Sequence, residues 1–419
     1  MSQSVTRITM ETPPEVLCEI FRLLCDKPIS LHVPDNDSSC SDKFPWAIGQ
    51  VCKRWREEFL SYLHLWTSLS LRYRPTDIVG VDLQHEMNRR TLICLERSKQ
   101  LPLTITVCIP YGSSIEKIPR TTWKLLLSCS ERWERADLAL SHEPLLLDIL
   151  RCKMPIVKSL RLRLVSFYSS HLRLYHPVPC LTELNLFAWF GELVLPWSQL
   201  KKVEISPTAE LHFIGGKKLE TILSQLQNVE ELRIGSFDVL PMNDDRDQCP
   251  IQLASLRLLA VPICPFQILP RIEAPLLEHL WVDMGPMYTS TGFTKELSFF
   301  IRRSSCHIRQ LTLHYCEYHL LPDLMKLLSS IEELCIRTTV DELGSFFVKH
   351  VTEMNDGVCL PNLRELEVTC CRGRDDDEKL MAAMSRILEM RSAESRLISV
   401  RREEMPLEPT RVRIFMSFK

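Results

Sequence analysis

The sequence predicts an α/β chain: a small N-terminal helical module followed by a solenoid of short parallel strands and helices. Three observations predict this class. Two apolar stretches of helical period occupy residues 14–25 and 45–60. From about residue 100 onward a short L-x-x-L-x-L segment keeps recurring. Helical patterns fall between the recurrences, as they do where each strand–helix unit must stack on its neighbours to bury its apolar side.

The first element opens at Pro14-Glu15. Proline lacks an N–H that the first helical turn would leave unbonded anyway, and an acid there suits the helix dipole. Val16, Leu17, Ile20, Phe21 and Leu24 then share one face. A polar, proline-bearing loop covers residues 26–43. The second helix is expected from Pro45-Trp46, with Ile48, Val51, Cys52, Trp55, Phe59 and Leu60 on helical spacing. Leu65-Trp66-x-x-Leu69 closes the module. Trp55 and Trp66 are expected inside it. A unit of this size buries little alone, so Pro13, Pro14, Leu17 and Ile20 are the expected docking face for a partner.

In the repeats, alternation over L-x-L makes a strand with leucines inward and the middle residue outward. Examples are Leu160-Arg-Leu162, Leu184-Asn-Leu186 and Leu232-Arg-Ile234. Taken as the second apolar position of each motif, residues 138, 160, 184, 203, 232, 256, 280, 311, 334 and 366 form the series. Helices are expected at 144–153, 217–226, 295–302, 322–328, 342–351 and 378–390. The resulting organisation is a disordered N-terminus (1–10), the helical module (11–70), a linking helix (71–100), the solenoid (101–395) and a C-terminal segment or cap (396–419). Segments 397–400 and 412–418 are candidate capping strands.

Composition narrows the function. The 51 basic and 53 acidic residues give a net charge of −2, which offers no broad attraction to nucleic acid or anionic lipid. The 17 cysteines form no C-x-x-C pair and sit within apolar runs, as free thiols of a reducing compartment do. Cytosol or nucleus is therefore expected. The start of the chain has no apolar signal core, and no run is long enough for a transmembrane helix. Glycine is scarce, at 12 residues, and Gly215-Gly216-Lys217-Lys218 lacks phosphate-loop spacing. No G-x-S-x-G occurs. The densest group of ligand types, His314 to His319, lies where a strand ends and lacks two separated ligand pairs. No catalytic residue, metal or cofactor is expected, and the chain is read as a non-enzyme.

Pro13-x-Glu15-x-Leu17-x-x-Ile20-Phe21-x-x-Leu24, then Val51-Cys52-x-x-Trp55-Arg56, then Leu65-Trp66-x-x-Leu69 resemble an F-box. The long inter-helix loop resembles F-box proteins of mushroom-type fungi. The later motifs resemble the irregular leucine-rich repeats that follow many F-boxes. Of the asparagine or cysteine that family places after the second apolar position, Cys316 and Cys371 fit. The resemblance implies a substrate receptor of an SCF-type cullin–RING ubiquitin ligase. The F-box would bind a Skp-type adaptor and the repeats would hold a target protein. The alternative is a repeat-based binding scaffold outside ubiquitin transfer; an enzyme of unrecognised class is the weakest reading. The outward middle residues are Arg161, Asn185, Glu204, Arg233, Arg257, Trp281, Thr312, Cys335 and Glu367. Tryptophan and arginine dominate binding hot spots, so Arg233, Arg257 and Trp281 are the expected target site, for acidic or apolar groups.

Overall fold

The computed structural model describes residues 12–24, 28–31, 52–73, 81–109, 119–164, 171–187, 192–206, 216–235, 249–262, 268–284, 292–314, 320–338, 362–371, 396–403 and 411–417. The chain divides into two compact units, residues 1–196 and 197–419.

Unit 1 begins with helix α1 (Pro14–Leu24), strand β1 (Ile29–Ser30), helix α2 (Lys53–Ser61) and strand β2 (Ser68–Arg72). Phe21 of α1 meets Trp55 and Phe59 of α2 edge-on, at ring centroids of 5.4 and 5.6 Å. Phe59 in turn meets Trp66 at 5.0 Å. Such edge-to-face contacts add about 0.5–1.5 kcal/mol each beyond area burial. Trp66 is fully buried, and Trp55 is partly exposed. Of the stretch expected to be the second helix, the described helix covers Lys53–Ser61. Cys52 is its N-cap, with extended backbone and its sulfur accepting from the Trp55 N–H at 3.4 Å. Residues 45–51 lie outside the described residues.

The parallel sheet starts earlier than residue 101. β1, inside the stretch expected to be loop, pairs in parallel with β2. β2 pairs with β3 (Leu103–Cys108), and helix α3 (Val81–Arg97) lies between them. Residues 71–100 thus hold a crossover helix of the array. The Arg97 guanidinium of α3 lies 4.3 Å over the Trp66 ring, joining the aromatic cluster to the first crossover. Helix α4 (Arg120–Ser128), β4 (Trp133–Leu140), helix α5 (Glu143–Leu150), β5 (Ser159–Leu164) and β7 (Glu183–Phe187) continue the pattern. β3, β4, β5 and β7 pair parallel in that order. A separate short ladder joins β6 (His171–Arg173) to β8 (Glu192–Val194). Trp123 of α4 donates to Asp148 of α5 at 3.0 Å, tying successive helices together.

Unit 2 carries β9 (Lys202–Ser206), helix α6 (Gly216–Leu223), β10 (Glu231–Ile234), β11 (Ile251–Gln252), β12 (Leu258–Pro262), β13 (Ile272–Glu273) and β14 (His279–Asp283). Helix α7 (Phe293–Ser304), β15 (Gln310–His314), helix α8 (Leu321–Leu327), β16 (Glu333–Thr338) and β17 (Glu365–Cys371) follow. The helices expected at 342–351 and 378–390 lie outside the described residues. The main ladder runs β9–β10–β12–β14–β15–β16–β17, all parallel. β11 and β13 form a ladder of their own. The C-terminal strands β18 (Arg396–Glu403) and β19 (Arg411–Ser417) close the array antiparallel, in the order β17–β19–β18.

Two features distinguish this from a doubly wound sheet. The parallel strands of the main ladder follow chain order in each unit, with no reversal at a switch point. Burial also alternates along several strands: β3 reads buried–intermediate throughout, and β14 and β15 read intermediate–buried. A parallel sheet covered on both faces would be apolar at every position. Here one face packs and the other is open. Leu160 and Leu184 in unit 1, and Val203, Leu232, Leu280, Leu311 and Leu334 in unit 2, are packed at equivalent strand positions, each at most 3% exposed. Full burial of such side chains is worth about 1.5–3 kcal/mol each. The preceding apolar positions, Leu181 in unit 1 and Leu200, Val229, Leu256, Leu277, Ile308 and Ile331 in unit 2, are buried as well. Several of their N–H groups close a recurring turn onto the residue three earlier, as in Leu200 to Trp197, Leu256 to Leu253 and Leu277 to Ala274.

Pairing corrects the register at two repeats. Leu280 faces Leu259, not Leu256, across β12 and β14. Leu160 faces Ala136, not Leu138, across β4 and β5. Arg257 consequently precedes its strand, and Ala260 takes the middle position.

Candidate interaction surfaces

The outer side of α1 is set by which residues the aromatic cluster takes. Leu17 and Phe21 are fully buried. Leu17 is therefore a core residue rather than part of a docking face: a 0% exposed side chain has no surface to offer. Ile20 is half-buried, and Pro13 and Pro14 are exposed. The apolar groups α1 does present are Val16, 48% exposed, and Leu23, 65% exposed. Sequence periodicity could not separate Val16 from Leu17, because adjacent apolar residues straddle the boundary of one helical face.

The open strand face of unit 1 is lined by Thr104 and Thr106 of β3, Asp137 of β4, Arg161 and Arg163 of β5 and Asn185 of β7. Asp137 is shared by two guanidiniums, at 3.4 Å from Arg161 and 3.0 Å from Arg163.

The open face of unit 2 holds two of the three residues expected to bind a target. Arg233 is exposed and Trp281 is half-exposed, and both line one depression of about 270 Å³ together with His279, Glu333, Arg337, Glu365 and Glu367. Trp281 is fixed from one side. Its indole N–H donates to His314 Nε2 at 3.2 Å. His314 Nδ1 lies 3.8 Å from Asp283 Oδ2. Burial, aided by the nearby Arg233 charge, pushes the His279 imidazole below its usual pKa, so it stays neutral at pH 7.

Arg257 is not in this depression. It belongs to a charged row just ahead of the strands: Lys201, Glu230, Arg257, Glu278, Arg309, Glu332 and Arg364 alternate in sign. Each backbone N–H bonds the carbonyl of the one before, from Glu230 to Lys201 through to Arg364 on Glu332. The side chains pair along the row: Lys201–Glu230 at 2.8 Å, Arg257–Glu278 at 3.2 Å and Arg364–Glu332 at 3.3 Å. Exposed pairs are worth only about 0–1 kcal/mol each, so the row specifies register more than stability. The sign alternation of this row is readable in the sequence once the strand frame is known.

Of the densest group of ligand types, His314 to His319, His314 is described and 315–319 are not; among the described residues no group of three His, Cys, Asp or Glu side chains could hold a metal ion. Described cysteines are free thiols. Burial pushes the Cys94 thiol up to about 12 and the Cys306 thiol up to about 11, the opposite of an activated nucleophile. Among the described residues no helix is long and apolar enough to cross a membrane. No protein-family model matches this chain, and no curated protein matches it.

Proposed function

We propose that this chain is a substrate receptor of a cullin–RING ubiquitin ligase. Its N-terminal helical pair docks a Skp-type adaptor and its repeat array holds the target protein. The observation that carries the reading is the division of labour within α1. Its F-box-like residues Leu17 and Phe21 build the aromatic core with α2, which leaves Pro13, Pro14, Val16 and Leu23 as an exposed apolar edge. Exposed apolar groups that cluster on one helix, beside a core too small to cover them, suit a partner. A receptor of this kind contributes positioning alone, so it needs no acid, base or nucleophile.

Co-purification of the full chain with a purified Skp-type adaptor separates this reading from its alternative. The receptor reading requires a stoichiometric complex. A chain that binds no adaptor yet retains a protein target on its repeats is a scaffold outside ubiquitin transfer.

A further inference from the structure

We propose that the depression on the open face of unit 2 docks a lysine or arginine side chain, carried on an extended segment of the target and seated between Trp281 and the carboxylates of Glu333 and Glu365. This rests on the target-holding half of the reading above and is independent of the adaptor-docking half.

The first support is a break in the charge pattern. At the first position of β9 and β10 unlike charges face each other: Lys202 meets Glu231 at 2.7 Å. The row ahead of the strands alternates in sign throughout. At the first position of β16 and β17 two like charges meet instead. Glu333 and Glu365 stand directly opposite in register. Neighbouring strands are only about 4.8 Å apart, and like charges directly opposite destabilise a ladder. Neither carboxylate has an ion-pair partner among the described residues. A cation between them converts that repulsion into attraction.

The second support is the shape and charge of the depression. Thr312 and Cys335 are the row neighbours of Trp281 on β15 and β16, and both are short. They leave the space beside the indole open toward the carboxylates. The two guanidiniums that line the depression stand away from this corner. Arg233 lies on β10, on the opposite side of Trp281 in strand order. Arg337 lies four residues along β16 from Glu333, about 13 Å at strand rise. His279 is neutral and adds no charge. With Glu367 of β17, three carboxylates therefore oppose two cations. The sequence expectation for this site is acidic or apolar groups; the charge balance argues for a cation at this corner. A cationic head on an indole face gains about 0.5–2 kcal/mol, and the same head can reach the carboxylates. An extended peptide running across the strands would also meet Arg233 past the indole, which favours an acidic residue toward that end.

The test is selection of a random heptapeptide display library on the full chain, followed by affinity measurement with a selected peptide. The expected peptides carry lysine or arginine at one fixed position. For such a peptide, Glu333→Gln with Glu365→Gln lowers affinity at least tenfold, and Trp281→Leu does likewise. Arg257→Ala leaves it unchanged. The double Gln variant melts at or above the wild-type temperature, because the like-charge pair is gone; that separates lost binding from lost folding. Selection of acidic peptides, or of none above background, overturns the proposal. Unchanged affinity in the double Gln variant overturns it as well. Peptide binding that behaves as expected in a chain that binds no Skp-type adaptor removes the ligase reading and leaves this one standing.

Discussion

The indole N–H of Trp281 points at His314, 3.2 Å from Nε2, and the two rings meet edge-on with centroids 4.8 Å apart. The other ring nitrogen, Nδ1, is the one nearer Asp283, 3.8 Å from Oδ2. One strand, β15, thereby sets the angle at which β14 presents its tryptophan to the open face. His314→Ala removes the hydrogen bond and the ring contact. The expected cost is about 1–2 kcal/mol of stability, together with weaker binding at Trp281. Thermal melting and peptide affinity check both; wild-type values for both would show that the indole is held by other contacts.

Acid weakens unit 2 through His279. Its folded-state pKa is depressed by burial first and by Arg233 second. A base whose charged form is disfavoured in the fold is protonated earlier in the unfolded chain. Stability from this group is therefore full above its ordinary value of 6.5 and falls as pH drops below it. His279→Gln abolishes that part of the pH dependence. Melting curves of both proteins at pH 8 and pH 5.5 measure it. A variant whose acid loss equals that of the wild type contradicts the assignment.

Gly235 ends β10 at a point where no side chain fits. A Cβ built there would lie 2.6 Å from Ser206 Cα, a backbone atom of β9 that cannot swing away. Gly235→Ala forces the two strands apart and is expected to cost about 1–3 kcal/mol. Denaturant unfolding gives the number directly. A loss below about 0.5 kcal/mol would mean the strand ends relax freely.

The Arg257 side chain is more than half exposed and pairs with Glu278. Arg257→Ala is expected to cost no more than about 1 kcal/mol and to leave target capture intact. A sharp fall in capture would return Arg257 to the binding surface.

These residues also show how far the sequence could be read. One-sided burial writes a period of two into a strand, so Leu160, Leu184 and Leu232 are visible from spacing alone. Register is less visible. Leu253, Leu256, Leu258 and Leu259 satisfy two overlapping frames, and only pairing with Leu280 selects the second. Ala136 was passed over for Leu138 because a small residue can fill a packed strand position as well as a leucine does. β1 has two residues, too few for any period, and lies among prolines and aspartates that signal loop. On α1, spacing found the apolar face but not its edge, so Leu17 was assigned outward where Val16 and Leu23 are. At the open face, Trp281 and Arg233 were found by residue type. The Glu333–Glu365 juxtaposition, 32 residues apart in the chain, was implicit in the repeat positions 334 and 366, but only the paired strands set the two carboxylates beside the Trp281 depression.

The most direct test of the receptor reading is the affinity of a purified Skp-type adaptor for the full chain, measured by calorimetry with and without Val16→Asp and Leu23→Asp. Both side chains are exposed, so the double variant should fold and melt as the wild type does. Charges placed in a docking hot spot cost about 3 kcal/mol or more, so affinity is predicted to fall at least 100-fold. Wild-type chain that binds no adaptor, or a double variant that binds it equally well, would contradict the account.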